Sequence, residues 1–411
     1  MNNKTLNVLI IGYVWPEPNS TGASVRMMEH ISLFLSQDCR VSFTCPATKS
    51  EFMADLESMG IATHNFQVND SAFDLFLTQF QPDIVLFDRF LMEEQFGWRV
   101  EKHCSTAMRI IETIDLHCLR EARHLALKAS REFTTDDLHN DTALREIASI
   151  YRSDLSIVIS DFEQTLLTSH FKIDPTLLQL CPFMFDNSNN EQTVPSYSQR
   201  QHFMTIGNFR HAPNWDAVLW LKQEIWPLIR KQLPQAELHI YGAYTPPKAT
   251  ALHCTKEGFL IKDRAESVEE VMTQARICLA PLRFGAGIKT KLADSMMFGT
   301  STITTDIGAE GMSGGLSWCG SIANDAESFA DAAAALYQNE ENWRIAQTNG
   351  FNILNTLFNR EVNQSQLFTR IIDVKNNLEQ HRKNNFIGAM LNHHHHRSTE
   401  FMSRWIEAKN K

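Results

Sequence analysis

Gly285, Gly287, Ile288, Lys289 and Thr290 stand in the stretch RFGAGIKTKLADSMMFGT, residues 283–300, between the apolar runs ICLAPL and STITT. The glycines permit a sharp turn and close approach of backbone to a ligand. A helix that begins near Lys289 and runs to Phe298 turns its unpaired first-turn N–H groups and positive dipole end outward, where anions bind. Arg283, Lys289 and Lys291 add positive charge. Together these features suit a phosphate or diphosphate; the plainer alternative is a tight strand-to-helix turn with solvated bases. Asp294, on the same helix, can accept hydrogen bonds from vicinal hydroxyls such as those of a ribose. Its position fits a solvent-facing aspartate on an amphipathic helix equally well.

Three other loops carry groups of interest. GNFRHAPN offers Gly207 for close backbone approach, Arg210 for a forked phosphate contact and Pro213 as a helix start. GYVWPEPNSTGASVRMMEH, after the first apolar run, is long enough to close over a ligand, with Gly22 near its end and Ser24 as a helix N-cap. It lacks G-x-G-x-x-G, which disfavours a nicotinamide or flavin enzyme. FDRF and ETIDLHCLREARH bring Asp88, Arg89, Glu112, Asp115, His117 and Arg120 to strand ends. A carboxylate and an imidazole two residues apart can bind hydroxyls or move a proton, and a lone histidine can also be purely structural. The run His393 to His396 cannot converge on one tetrahedral metal site, and no other metal pattern is present.

The elements that must position these loops alternate in period. LNVLII, RVSFTC, PDIVLF, MRIIET and LSIVIS are strand-length apolar runs separated by amphipathic helical segments, which implies parallel strands with crossover helices. The polar, proline-bearing stretch 186–201 breaks the rhythm and reads as a linker. The rhythm restarts with HFMTIG, AELHIYG, GFLIK, RICLAPL and STITT. The sequence thus predicts two doubly wound Rossmann-like domains facing a central cleft. Their expected limits are 1–186, with a helical insertion at 119–152, a linker at 187–201, and 202–385. A tail helix at 386–411 carries Phe401, Met402 and Trp405 on one side.

With 411 residues, 43% of them hydrophobic, more than one core is expected. A net charge of -10 argues against nucleic acid as a partner. Eight dispersed cysteines without CxxC read as reduced thiols of a cytoplasmic protein. The N-terminus does not read as a signal peptide, and no run approaches the length of a membrane span, which leaves only a peripheral membrane contact open.

The segments GNFRHAPNWDAVLWLKQEIWPLI, LHIYGA and ICLAPLRFGAGIKTKLADSMMFGTSTITTDIGAEGM resemble the donor-binding domain of retaining GT-B glycosyltransferases of the family 4, or group 1, type. The resemblance is strong over about 203–312 and weaker in the first half. It implies a GT-B fold, a nucleotide diphosphate sugar bound mainly by the second domain, an acceptor bound mainly by the first, retention, and no metal or other cofactor. It also implies that the tail helix crosses back onto the first domain. The family carries two glutamates separated by seven residues; Asp294 stands at the second position and Ala286 at the first.

By this resemblance His117, Arg210 and Lys289 are the expected catalytic groups. Gly22, Gly207, Arg283, Gly285, Gly287, Ile288, Thr290 and Asp294 would bind the donor. The acceptor remains open between glycan, lipid-linked, protein and small-molecule classes. A GT-B epimerase or hydrolase, and a non-catalytic nucleotide-sugar binding or scaffold protein, are the alternatives to transfer.

Overall fold

Residues 5–186 and 194–410 are described by the computed structural model. The apolar runs form two parallel sheets. The first contains β1 (Asn7–Ile11), β2 (Arg40–Thr44), β3 (Ala62–His64), β4 (Ile84–Asp88), β5 (Met108–Glu112), β6 (Leu155–Val158) and β7 (Leu178–Leu180), in the order β3-β2-β1-β4-β5-β6-β7. The second contains β8 (Phe203–Ile206), β9 (Leu238–Tyr241), β10 (Phe259–Ile261), β11 (Ile277–Ala280), β12 (Ser301–Thr304) and β13 (Gly320–Ile322), in the order β10-β9-β8-β11-β12-β13.

Helices cover both faces of each sheet. The central strands are therefore apolar throughout rather than alternating: Val8, Leu9, Ile10 and Ile11 are all fully buried. In each sheet the strand order reverses beside its first strand, between β1 and β4 and between β8 and β11. The crevice at such a reversal, outside the carboxyl ends of the strands, is where open α/β sheets bind ligands.

The segment expected as an insertion, 119–152, is an ordinary part of the β5-to-β6 crossover. It lies in the helices His117–Lys128 and Asp141–Arg152, with a short turn, Thr135–Leu138, between them. Leu119, Ala122, Leu138, Ala143 and Ile150 pack into the first-domain core. The long glycine loop ends in the helix Gly22–Ser36, capped by Thr21 rather than by Ser24; the Thr21 hydroxyl accepts from the Ser24 amide.

Residues 187–193 of the expected linker lie outside the described residues. Its last part belongs to the second domain. Arg200 is fully buried there and donates to the carbonyls of Met272, Ala275 and Phe298.

The chain returns to the first domain well before residue 385. In the helix Arg360–Asn376, Leu367, Ile371 and Val374 enter the first-domain core. In the next helix, Leu378–Asn384, Arg382 grips Asp154 at 2.7 and 2.8 Å. The tail helix Phe386–Asn410 lies on the first domain through Lys102–Glu400, Arg99–Ser403 and Ser71–Glu407 contacts. Its buried side is marked by Ser403, while Phe401, Met402 and Trp405 face solvent. The side chains of His394 to His396 lie outside the described residues.

All eight cysteines are free. No helix among the described residues is long and apolar enough to cross a membrane.

Candidate functional site

The carboxyl ends of β1, β5 and β11 bring three loops of the two domains into contact. The helix after β11, Thr290–Met297, starts at the expected place with Lys289 in the capping position. The amides of residues 288–291 find no protein acceptor among the described residues. The start of this helix abuts the start of Gly22–Ser36 in the first domain. A Cβ at Gly22 would stand 1.8 Å from Thr290 Oγ1, so only glycine allows the approach. Two helix N-termini from different domains therefore converge, and their unpaired amides and dipoles make the junction attractive to an anion.

Gly287 has φ +65, and a Cβ there would lie 2.8 Å from Asp115 Cβ and 3.1 Å from the Ile114 carbonyl oxygen. The loop after β11 thus rests directly on the loop after β5. Ile114 itself has φ +64, an outlying conformation for a β-branched residue, and Arg89 at the end of β4 has φ +71. Such strain clusters at ligand-facing loops, where the surrounding packing enforces it.

The expected site residues divide on inspection. Lys289 is buried, and its ammonium donates to the Gly287 carbonyl at 2.7 Å. Burial pushes its pKa down, opposed by Glu310 and reinforced by Arg123. Lys291 donates to Asn214 Oδ1 at 2.9 Å, and burial lowers it to about 8. Asp294 is half-buried with no hydrogen-bond partner among the described residues; burial and then Glu29 push it up to about 7. Its carboxyl is free to meet a ligand hydroxyl.

His117 lies edge-on to Phe90 and 3.4 Å from Asp115 Oδ1. Burial, and then the Arg120 and Arg89 cations, outweigh Asp115 and hold His117 at about 4. Its imidazole is therefore neutral at pH 7. Against the cost of burial, Arg120 and then His117 keep the Asp115 carboxyl below the usual carboxylate range.

Three of the expected residues have other partners in this structure. Arg283 does not reach toward the free amides. Asp216 takes its guanidinium at 2.9 and 2.6 Å, and it lies over Trp220. The Ile288 side chain is a core residue, so only its amide can serve a ligand. Gly207 makes room for the Asn214 side chain, 2.5 Å from where its Cβ would be, and so supports Lys291 indirectly.

Arg210 is exposed at the rim and stacks 3.7 Å over Tyr244, whose hydroxyl donates to Glu17 of the first-domain loop. Gly285, by contrast, is open, with nothing nearer than 3.9 Å to its would-be Cβ. Among the other groups noted at strand ends, Glu112 is fully buried with Arg26 and His30 in the first-domain interior. Asp88 accepts from the Tyr13 amide at 3.0 Å and so fixes the start of the glycine loop.

Sequence reasoning missed Glu163 and Arg123. Glu163 Oε1 accepts from the amides of Leu116 and Gly287 at 2.9 and 2.8 Å, joining the two domains. Arg123 donates to the Gly285 carbonyl at 2.9 Å and forks onto Glu310 at 2.8 and 2.7 Å. Both sit in helices of unexceptional charge pattern, with no motif to single them out.

Among the described residues, no three His, Cys, Asp or Glu side chains converge into a group that could hold a metal ion.

Comparison with known proteins bears on the fold that carries this site. Residues 200–339 match the family model described as Glycosyl transferases group 1. No curated protein matches the chain. Among solved structures, it is similar to sucrose-phosphate synthase from Thermosynechococcus elongatus, with a TM-score of 0.70 at 14% identity, over 90% of this chain and 99% of that one. It is also similar to a TarM mutant of S. aureus in complex with fondaparinux, alpha-GlcNAc-glycerol and UDP, with a TM-score of 0.68 at 8% identity, over 89% and 99% of the two chains. Anabaena HepE in complex with UDP and glucose gives a TM-score of 0.67 at 11% identity over 89% and 99%. At these identities the likeness speaks for the fold, which is GT-B.

Proposed function

We propose that this GT-B chain, whose residues 200–339 match the group 1 glycosyl transferase model, moves a sugar from a nucleotide diphosphate sugar to an acceptor, retains the configuration of that sugar and needs no metal to do so. The observation that carries the proposal is the meeting of two helix N-termini at Gly22 and Thr290, beside amides that have no protein acceptor.

A nucleotide diphosphate leaving group gains negative charge as the bond to the sugar breaks. Preorganised amide donors stabilise that charge without reorganising. The free amides of residues 288–291 and the start of the helix at Gly22 would receive the diphosphate. Lys289 adds its charge from within the loop, and Arg210 stands at the rim for a second contact. This donor set offsets the diphosphate charge with protein groups alone.

Asp294 would hold the ribose hydroxyls through its unpartnered carboxyl. His117, neutral and 3.4 Å from Asp115, suits a hydrogen bond to a donor-sugar hydroxyl better than an ionic contact. The acceptor would enter from the first domain, where Arg89, Asp115 and Arg120 line the strand ends. UDP in the TarM and HepE complexes makes a uridine nucleotide the first one to try.

The test is calorimetric titration of the protein with UDP, GDP, ADP and dTDP in the presence of a chelator. One nucleotide is expected to bind, and Lys289→Ala should lower turnover of its sugar by about 100-fold, as loss of one preorganised donor does. Absence of binding by all four would remove the diphosphate reading; unchanged turnover in a folded variant would remove Lys289 from it.

A further inference from the structure

The loop that carries the free amides is not shaped by its own domain alone. Every other residue from 283 to 287 is engaged from outside the loop: Arg283 by its own domain, and Gly285 and Gly287 by the first domain. The helix His117–Lys128 supplies Arg123, which donates to the Gly285 carbonyl and forks onto Glu310. Its guanidinium is steadied between the rings of Phe133 and Phe162, each 5.5 Å away. The adjacent His124 stacks on Phe284 with centroids 4.2 Å apart and planes 2° from parallel.

From the helix Asp161–Ser169, the fully buried Glu163 takes the Gly287 amide. Its second oxygen has no hydrogen-bond partner, so neither oxygen is tied to a side chain of its own domain. Near the same helix, Ser160 fills the space a side chain would need at Gly311, whose Cβ would come within 2.7 Å of the Ser160 Cβ. The first domain thus holds the loop through the ring of Phe284 and through the backbone of residues 285 and 287, immediately before the free amides begin at 288.

Backbone direction propagates along the chain. With the carbonyl of Gly285 and the amide of Gly287 fixed, the peptide planes between them have little freedom, and the following amides inherit their aim. An oxyanion site depends on such aim, since misplacement by a fraction of an ångström loses the bond.

We infer that Arg123 and Glu163 are positioning residues that set the aim of the 288–291 amides from the first domain, so that the phosphate site is complete only while the two domains are in contact. This rests on the nucleotide-sugar reading above. It also gives the body of the helix His117–Lys128, beyond His117 at its start, a part in donor binding.

The experiment is calorimetry with the mono- and diphosphate of the four nucleosides uridine, guanosine, adenosine and thymidine, on the full chain and on Arg123→Met, Glu163→Ala and Glu163→Gln. Thermal melting is followed for each. Positioning residues act on the phosphate increment: the gain in affinity from monophosphate to diphosphate should shrink by about 10-fold or more in Arg123→Met and Glu163→Ala. Monophosphate binding, carried by base and ribose contacts, should stay within about twofold of the wild type. Glu163→Gln keeps a carbonyl oxygen for the Gly287 amide and should restore most of the increment.

An unchanged increment in both Arg123→Met and Glu163→Ala overturns the inference and leaves the nucleotide-sugar reading standing. Equal weakening of mono- and diphosphate also overturns it, because general loosening of the site has that signature. If the wild type binds no nucleotide, the reading itself fails and the inference with it. Should Arg123→Met fail to melt cooperatively, Arg123→Lys, which keeps one donor, takes its place with the same expectations.

Discussion

Replacing Gly22 by alanine tests the convergence of the two helix ends directly. A methyl group at position 22 would stand 1.8 Å from Thr290 Oγ1 and 2.8 Å from Thr290 Cβ, where ordinary contact begins at 3.4 Å. Rotating the Thr290 hydroxyl away leaves the Cβ contact, which needs about 0.6 Å of movement. Keeping its rotamer needs about 1.6 Å, and a close-packed junction can yield only by separation. A hydrogen bond of about 2.9 Å lengthened by such amounts is weakened or lost. One amide bond to a charged phosphate is worth about 1.5–3 kcal/mol. The nucleotide identified by titration should therefore bind about 10- to 100-fold more weakly.

Stability should change little, because the better helix propensity of alanine, up to about 1 kcal/mol in a helix interior and less at this first position, is offset by the contact. The assay is calorimetry beside thermal melting. A melting temperature kept, with affinity lost, is the expected pair. Adding Thr290→Gly should restore affinity to within about threefold, since it removes both offending atoms. Wild-type affinity in Gly22→Ala would mean that the first-domain helix end takes no part in diphosphate binding.

Two further outcomes follow from the site. Asp294 has its pKa raised to about 7 from an ordinary value near 3.8. A carboxyl that holds its proton more tightly when folded contributes stability below the unfolded value and loses it as pH rises through the folded one. The Asp294 contribution should accordingly fall away between about pH 4 and 7, read in thermal scans of the nucleotide-free protein as a melting-temperature difference between wild type and Asp294→Asn that shifts against the wild type over that range. Arg283→Ala should leave nucleotide affinity within about twofold, because Asp216 already holds the guanidinium; a loss of tenfold or more would show that Arg283 turns to the ligand on binding.

Much of this architecture was legible because parallel sheets write themselves as apolar runs of strand length. All ten expected runs became strands, β1, β2, β4, β5 and β6 in the first sheet and β8 to β12 in the second. The strands that escaped, Ala62–His64, Leu178–Leu180 and Gly320–Ile322, are three residues long and lie at sheet edges. So short a segment shows no period, and its pairing is decided by the neighbouring strand. The return of the chain near residue 359 was equally hidden. Helical periodicity marks which face of Arg360–Asn376 is buried, but not which domain buries it.

The same distinction governs the site. Features encoded by local geometry were readable: the turn at Gly287, and the helix start beside Lys289. Features created when two domains meet were not. Gly22 was expected among the donor-binding residues, but what requires a glycine there is a threonine 268 positions away, and Glu163 meets the Gly287 amide across 124 positions. Arg283 shows the converse case. Its charge counted toward the ligand in the sequence, yet charge carries no direction, and Asp216 on a neighbouring helix claims it. Ala286 extends the point. Where the resemblance places a glutamate, this chain has a methyl group packed against the first-domain core, and the carboxyl group of Glu163 comes from that other domain onto the very next residue. The loop after β11 thus has its shape completed by groups that no reading of residues 283–300 could include, and its function is a property of the junction rather than of the motif.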